Sequence, residues 1–399
     1  MKINFKNKKA IVRVDFNVPL DKENRVTDDT RIKRAIPTLK FVLENGGSLI
    51  LISHFGRPLK KRRDDGSIDV EKFTLRNVIP VLEDLIGVDV DFASDCIGEE
   101  AFLKAEKLGS GQILLLENTR FYSEETDGNE AFAEKLSMLG DVFVNDAFGA
   151  AHRAHASTSI IAKYFSVENK CLGLLMEQEI QSAEKILSET PHPFTAIIGG
   201  AKVSDKIQLL DTLIQKADNI LIGGGMAYTF IRAMGGKIGD SLFEEEYVTL
   251  AIDLIKLAEA KGVKLLLPKD SVISDKFSES GNTQMVNSNE VPAEWLALDI
   301  GDIAVKEYSE VILQSKGILW NGPLGVFEME KFANGTYKIA QAIAQATEEG
   351  AYSLIGGGDS VAAVKKAGLD DKVSYISTGG GALLEYFEGK ELPGIAAMK

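Results

Sequence analysis

Tyr352-Ser-Leu-Ile-Gly356-Gly-Gly-Asp-Ser360 decides the fold. A short apolar run of strand length ends in three glycines and then meets Asp-Ser, a pair suited to opening a helix. Three further stretches repeat the pattern: Thr195-Ala-Ile-Ile-Gly199-Gly200, Asn219-Ile-Leu-Ile-Gly223-Gly-Gly225 and Tyr375-Ile-Ser-Thr378-Gly-Gly380-Gly381. Each reads as a buried strand running into a glycine corner. Such a corner lets backbone N–H groups come close to a ligand, and a helix N-terminus favours an anion. One corner alone is explained by a tight turn. Four on one edge of a parallel sheet, with Lys202, Lys206 and Asp359 beside them, point to a phosphate-rich ligand, a nucleotide.

Outward from these runs the chain alternates strands and helices. Ala10–Val14, Ser48–Ile52, Ile113–Leu116 and Val142–Val144 read as buried strands in the first half. Ala196–Ile198, Ile220–Ile222, Lys264–Leu267, Gly317–Trp320, Ser353–Ile355 and Val373–Ile376 follow in the second. Arg31–Leu43, Asn129–Leu139 and Glu177–Leu187 carry helical spacing. This alternation predicts an α/β chain of two Rossmann-like domains, each a parallel sheet flanked by helices. Ten or more strands is many for one sheet. The expected boundaries are 1–171, a connecting helix over 172–190, and 191–385.

The 399 residues carry a net charge of −14, which argues against a nucleic-acid or anionic-membrane partner. No apolar run is long enough to span a membrane, and the N-terminus lacks a signal-peptide core. Cys96 and Cys171 make no disulfide framework and fit a reducing cytoplasm.

Within this acidic chain, cations gather after the first-half strands. Val14-Asp15-Phe16-Asn17, Ser53-His54-Phe55-Gly56-Arg57 and Glu117-Asn118-Thr119-Arg120 each follow a strand, as does the stretch from Asn145 to Arg153. One arginine would suit a surface ion pair. Arg31, Arg57, Arg120 and Arg153 with His54 at successive strand ends predict a pocket for a small, multiply charged anion. His152 and His155 lack a third metal ligand, so they read as packing or hydrogen-bonding groups. The Lys60–Arg63 run reads as a solvated loop.

In the second half, Lys202 and Lys206 are four apart at an expected helix start, which would set both on one face. The amides of Gly356–Ser360 suit phosphates; Asp359 suits a Mg²⁺ ion bridging them or a helix N-cap. Glu328, in Asn321-Gly-Pro-Leu-Gly-Val-Phe-Glu328, suits a ribose hydroxyl. Neither GxxxxGK[ST] nor GxGxxG occurs, which disfavours a P-loop ATPase and a dinucleotide oxidoreductase. A non-catalytic nucleotide binder is the remaining alternative class.

Together these motifs resemble the phosphoglycerate kinase family from about Arg13 to Pro393. The resemblance rests on Val12–Pro19, His54–Pro58, Leu116–Phe121, Asn145–Gly149 with His152–His155, Gly199–Lys206, Asn321–Glu328, Gly356–Ser360 and Ser377–Gly381. It implies two domains facing across a hinge cleft and a monomer whose C-terminal tail, about 386–399, returns to the first domain. It implies 3-phosphoglycerate or 1,3-bisphosphoglycerate at Asp15, Phe16, Asn17, Arg31, His54, Phe55, Gly56, Arg57, Arg120 and Arg153. It implies ADP or ATP with Mg²⁺ at Gly200, Ala201, Lys202, Lys206, Gly225, Gly301, Asn321, Glu328, Gly357, Gly358, Asp359 and Ser360, the metal on Asp359. Gly301 is followed by Asp302, where the family pattern has proline or a small residue. Arg31, Lys202, Gly357 and Gly380 are the implied catalytic positions. The implied reaction moves a phosphoryl group between an acyl phosphate and ADP. Both nucleophiles are already ionised, so positioning and charge would suffice without a general base.

Overall fold

Buried apolar runs organise two six-stranded parallel sheets in the computed structural model, which describes residues 1–399. The first sheet contains β1 (Lys9–Arg13), β2 (Ser48–Ile52), β3 (Val90–Ala93), β4 (Ile113–Leu116), β5 (Val142–Asn145) and β6 (Lys170–Leu172). Their order is β3-β4-β2-β1-β5-β6. Alternate side chains enter two cores: Val12, Leu49, Leu51 and Val144 on one face, Ile11, Ile50, Ile52 and Phe143 on the other. Burial on both faces is why these strands read as continuous apolar runs. β3 and β6 lie at the edges. β3 exposes Asp91, and β6 is only half-buried, so neither carries that run.

The remaining strands are β7 (Phe194–Ile198), β8 (Asn219–Ile222), β9 (Lys237–Ile238), β10 (Lys264–Leu266), β11 (Asp270–Ser274), β12 (Thr283–Asn287), β13 (Glu290–Val291), β14 (Leu296–Ile300), β15 (Gly317–Asn321), β16 (Tyr352–Gly356) and β17 (Tyr375–Ile376). Six of them form the second parallel sheet, ordered β10-β8-β7-β15-β16-β17. All four glycine clusters therefore leave neighbouring parallel strands at their carboxyl ends, with the Asn321 loop of β15 in their midst. A small antiparallel sheet, β12-β11-β14, lies outside the expected alternation. Its outer strand β12 is mostly exposed and lacks the buried apolar signature.

By contacts the chain divides into residues 1–180 with 391–399, and residues 181–390. The division falls inside the helix Leu174–Leu187. Asp146, just past β5, caps the start of that helix, accepting from Leu175 N (3.0 Å) and Met176 N (3.2 Å). Residues 391–399 pack within the first unit: Gly394 N–H donates to the Ala151 carbonyl (2.8 Å), and Asn145 Nδ2 donates to the Gly394 carbonyl (2.9 Å). No helix is long and apolar enough to cross a membrane.

Candidate active site

The carboxyl ends of β1, β2, β4 and β5 open onto a cavity of about 350 Å³ in the first unit. Asp15, Asn17, Arg31, His54, Gly56, Arg57, Arg120 and Arg153 all line it, with Lys61 and His152. Four arginines and a lysine thus face one carboxylate, and that carboxylate is already paired: Arg31 Nη1 lies 3.0 Å from Asp15 Oδ2. Arg31 also donates to the Asn17 carbonyl (3.1 Å), and Arg120 to the Gly56 carbonyl (2.8 Å). The wall is built on buried Asn118. Its Oδ1 accepts from Phe55 N (2.9 Å) and Arg120 N (3.0 Å), while its Nδ2 donates to the carbonyls of Phe55 (2.7 Å) and Phe73 (2.9 Å). Asn17 Oδ1 accepts from Gly56 N (2.9 Å), tying the first strand end to the second.

Burial, with the nearby cations Arg120, Arg13 and Arg153, pushes His155 down to about 3. Burial and Arg13, Arg120 and Arg31 hold His54 well below the usual imidazole range. Both rings are therefore neutral in the folded chain near pH 7. The unfolded chain takes up their protons near pH 6.5. Below that value the unfolded state binds more protons, so stability is full above about pH 6.5 and declines as pH falls towards the folded values. Each such histidine contributes at most about 1.4 kcal/mol per pH unit in that window. His155→Gln is expected to flatten the acid slope by about 1–2 kcal/mol between about pH 6.5 and 5. Amide hydrogen exchange of residues 1–180 reads this; equal slopes in both proteins would contradict it.

The second unit carries a larger and more apolar cavity of about 610 Å³. Gly200, Ala201, Gly224 and Gly225 form one wall, Leu296–Ile300 and Pro323–Val326 others, with Glu328 and Asp359 at the polar side. Tyr228, Leu242, Pro268 and Phe277 also line it, and Phe277 is 63% exposed. A polar knot stands on the same sheet edge. Lys206 Nζ donates to Asn321 Oδ1 (2.6 Å), and Gly322 N donates to Ser360 Oγ (2.6 Å). Burial lowers the Lys206 pKa, opposed by Asp205, Glu388 and Asp359. Gly357, at φ +89°, lies against Asn321, where a Cβ would come 2.9 Å from Nδ2. An apolar slot beside a glycine-lined, lysine-bearing edge suits a flat base joined to phosphates.

The phosphoglycerate kinase family model matches residues 1–390. The chain belongs to the phosphoglycerate kinase family. The phosphoglycerate kinase of Porphyromonas gingivalis is 49% identical over 419 residues, covering 99% of this chain and 98% of that protein. The cytosolic phosphoglycerate kinase of Triticum aestivum is 48% identical over 395 residues, covering 99% and 96%. The solved phosphoglycerate kinase structure from Coxiella burnetii matches with a TM-score of 0.86 at 38% identity, covering 100% of this chain and 97% of that one. Membership makes the chain a phosphotransferase with a carboxyl group as acceptor.

Against the phosphoglycerate kinase expectations, several residues are placed otherwise. Phe16 and Phe55 turn their rings into the hydrophobic core and do not line the cavity. Gly301 does not line the second cavity; a Cβ there would meet the Asp270 carboxylate at 2.3 Å, and the residue caps the helix Asp302–Leu313. The Ser360 hydroxyl is buried on Gly322 and holds the loop. Lys202 and Lys206 do not share a helix face: Lys202 precedes a short 3₁₀ turn, Ser204–Lys206, and the α-helix starts at Ile207. Asp359 is not an N-cap, since Gly357 takes that position and Asp359 sits in the first turn, on the cavity wall. Gly358 and Gly380 begin the helices Gly358–Lys366 and Gly380–Phe387, with open space where a Cβ would stand. Lys61 lines the first cavity although its run reads as a solvated loop. Arg13, Ser157 and Glu125, unmarked in the sequence, form a buried network behind His54.

Proposed function

We propose that the first cavity takes 3-phosphoglycerate or 1,3-bisphosphoglycerate and the second takes ADP or ATP, as the two half-sites of the family's reversible phosphoryl transfer. The observation that carries this is the cluster of five cations around one already paired carboxylate in a chain of net charge −14. His54, Arg57, Arg120 and Arg153 anchor the carboxylate and phosphate of the acid. Arg31 and Lys202 hold the group in transit. Lys206, Gly357 and Gly358 face the nucleotide phosphates, and Glu328 the ribose.

Asp359 offers a single carboxylate on the cavity wall beside a helix N-terminus, a donor set that fits Mg²⁺ completed by nucleotide phosphates. Such an ion neutralises phosphate charge when bound. Neither nucleophile needs deprotonation, so no residue is assigned as a base. The half-sites belong to different units, and transfer requires reacting atoms about 3–3.5 Å apart, so turnover involves their closure. We further take the chain to act as a monomer in the cytoplasm; Cys96 and Cys171 are free thiols, in keeping with that.

The test is formation of 1,3-bisphosphoglycerate from ATP, Mg²⁺ and 3-phosphoglycerate, read as NADH loss through glyceraldehyde-3-phosphate dehydrogenase. Turnover should need all three. Arg153→Ala should raise KM for 3-phosphoglycerate roughly 10- to 100-fold, as expected for a lost charge-assisted hydrogen bond, with KM for ATP unchanged. An unchanged KM for the acid would remove Arg153 from the site.

A further inference from the structure

We propose that Arg13 is a positioning residue for this reaction: its buried guanidinium fixes the His54 ring with the proton on Nε2, so that a neutral N–H donor faces the phosphoglycerate anion. The proposal rests on reading the first cavity as the phosphoglycerate half-site.

Arg13 ends β1 with no exposed surface and does not line the cavity. One of its terminal nitrogens lies 3.0 Å from His54 Nδ1, its Nε donates to Ser157 Oγ (2.9 Å), and it also donates to the Val14 carbonyl. A guanidinium has donors only. His54 Nδ1 must therefore present its lone pair, which leaves the proton of the neutral ring on Nε2. The opposite tautomer would set two N–H groups head to head. The rest of the network admits the same assignment. Ser157 Oγ accepts from Arg13 and so gives its own proton to Glu125 Oε1 (2.6 Å), while Ser157 N–H donates to Glu125 Oε2 (2.9 Å). Glu125 is fully buried and supplies the countercharge.

The groups that face His54 come from every neighbouring element: Arg13 from β1, Arg31 from the helix Thr30–Glu44, Arg120 from the turn after β4, and His155 from the loop beyond β5. Asp15 Oδ1 stands 4.0 Å from Nδ1, beyond hydrogen-bond reach. Burial, with three cations against one carboxylate, keeps the ring neutral and its donor constant across physiological pH.

The first experiment is ¹⁵N NMR of histidine-labelled wild-type protein without substrate, the His54 signals assigned by their loss in His54→Gln. The expected result is a protonated Nε2, an unprotonated Nδ1 and no titration through about pH 6.5. A proton on Nδ1, or titration near that value, overturns the proposal. The second is kinetic, with Arg13→Lys and Ser157→Ala. KM for 3-phosphoglycerate should rise about tenfold with KM for ATP unchanged, one lost hydrogen-bonded orientation being worth roughly that factor. The variant-to-wild-type ratio of that KM should fall below about pH 6.5, where a released His54 gains its charge; the ratio cancels the substrate's own ionisation. Equal rises in both KM values with a pH-independent ratio would mark general damage and overturn the positioning role. The NMR result stands even where a variant fails to fold. It also separates the two readings: the tautomer can hold while Arg153→Ala leaves KM for the acid untouched.

Discussion

Lys202→Ala is expected to lower kcat by about 10²- to 10³-fold while leaving the affinity for ATP near its starting value. That factor is typical for removing one preorganised donor to a transition-state charge. The loss belongs in kcat because the lysine is assigned to the phosphoryl group in transit and not to the resting nucleotide. Local structure supports this division of labour. Ala201, on one side, lines the second cavity, and Val203, on the other, is fully buried. The backbone at Lys202 is thereby pinned while its side chain is exposed. Lys206 differs, its ammonium being held on Asn321. Truncating an exposed side chain changes stability by no more than about 0.5 kcal/mol, so the activity loss can be read without a folding correction. Single-turnover kinetics at saturating substrates are the measurement. A near-normal kcat would remove Lys202 from the transfer step.

Gly322→Ala should destabilise residues 181–390 by about 2–6 kcal/mol and weaken nucleotide binding at the same time. Gly322 has φ +94°, and a Cβ there would stand 2.2 Å from the Gly199 carbonyl oxygen. The backbone strain costs about 1–3 kcal/mol and the overpacking about 1–3 more. The loop has nowhere to retreat. Gly199 N donates to the Asn321 carbonyl (2.9 Å), Gly200 N to the Pro323 carbonyl (3.1 Å), and Trp320 Nε1 to the Gly322 carbonyl (2.8 Å). Any shift carries Asn321 and Ser360 with it, and so Lys206. Gly358→Ala is the contrast: with nothing within 4 Å of its Cβ position, it should fold like the wild type. Urea unfolding and ATP titration of both variants check this. An unchanged midpoint in Gly322→Ala would mean the two loops are not locked together.

The parallel sheets were legible because strands covered on both faces must be apolar throughout, as in Ser48–Ile52 and Phe194–Ile198. Edge strands escape that requirement, which is why β3, β6 and the antiparallel β12 went unseen. The arginines were legible because four guanidinium groups after successive strands have few other uses in an acidic chain. The network behind them was not. Arg13 reads as one polar residue in a strand, and Glu125 and Ser157 are separated by 32 positions before the fold joins them. The apolar slot was hidden for a different reason: Leu242, Pro268 and Phe277 look like core in a sequence, and only their place on a cavity wall shows otherwise. The helical reading of Lys202 and Lys206 failed because spacing carries no notice that the helix begins only at Ile207.

The contact between Gly394 and Ala151 has a consequence for how the molecule is made. Residues 181–390 are contiguous, so a ribosome delivers that unit whole. The first unit is interrupted, and residues 391–399 reach it only after all of the second has been synthesised. Its early form leaves the Ala151 carbonyl and the Asn145 amide without the partners that residue 394 brings, two positions from Arg153. Closing the first unit therefore waits on the second: the Gly394 bonds to Ala151 and Asn145 can form only once residues 181–390 have been made.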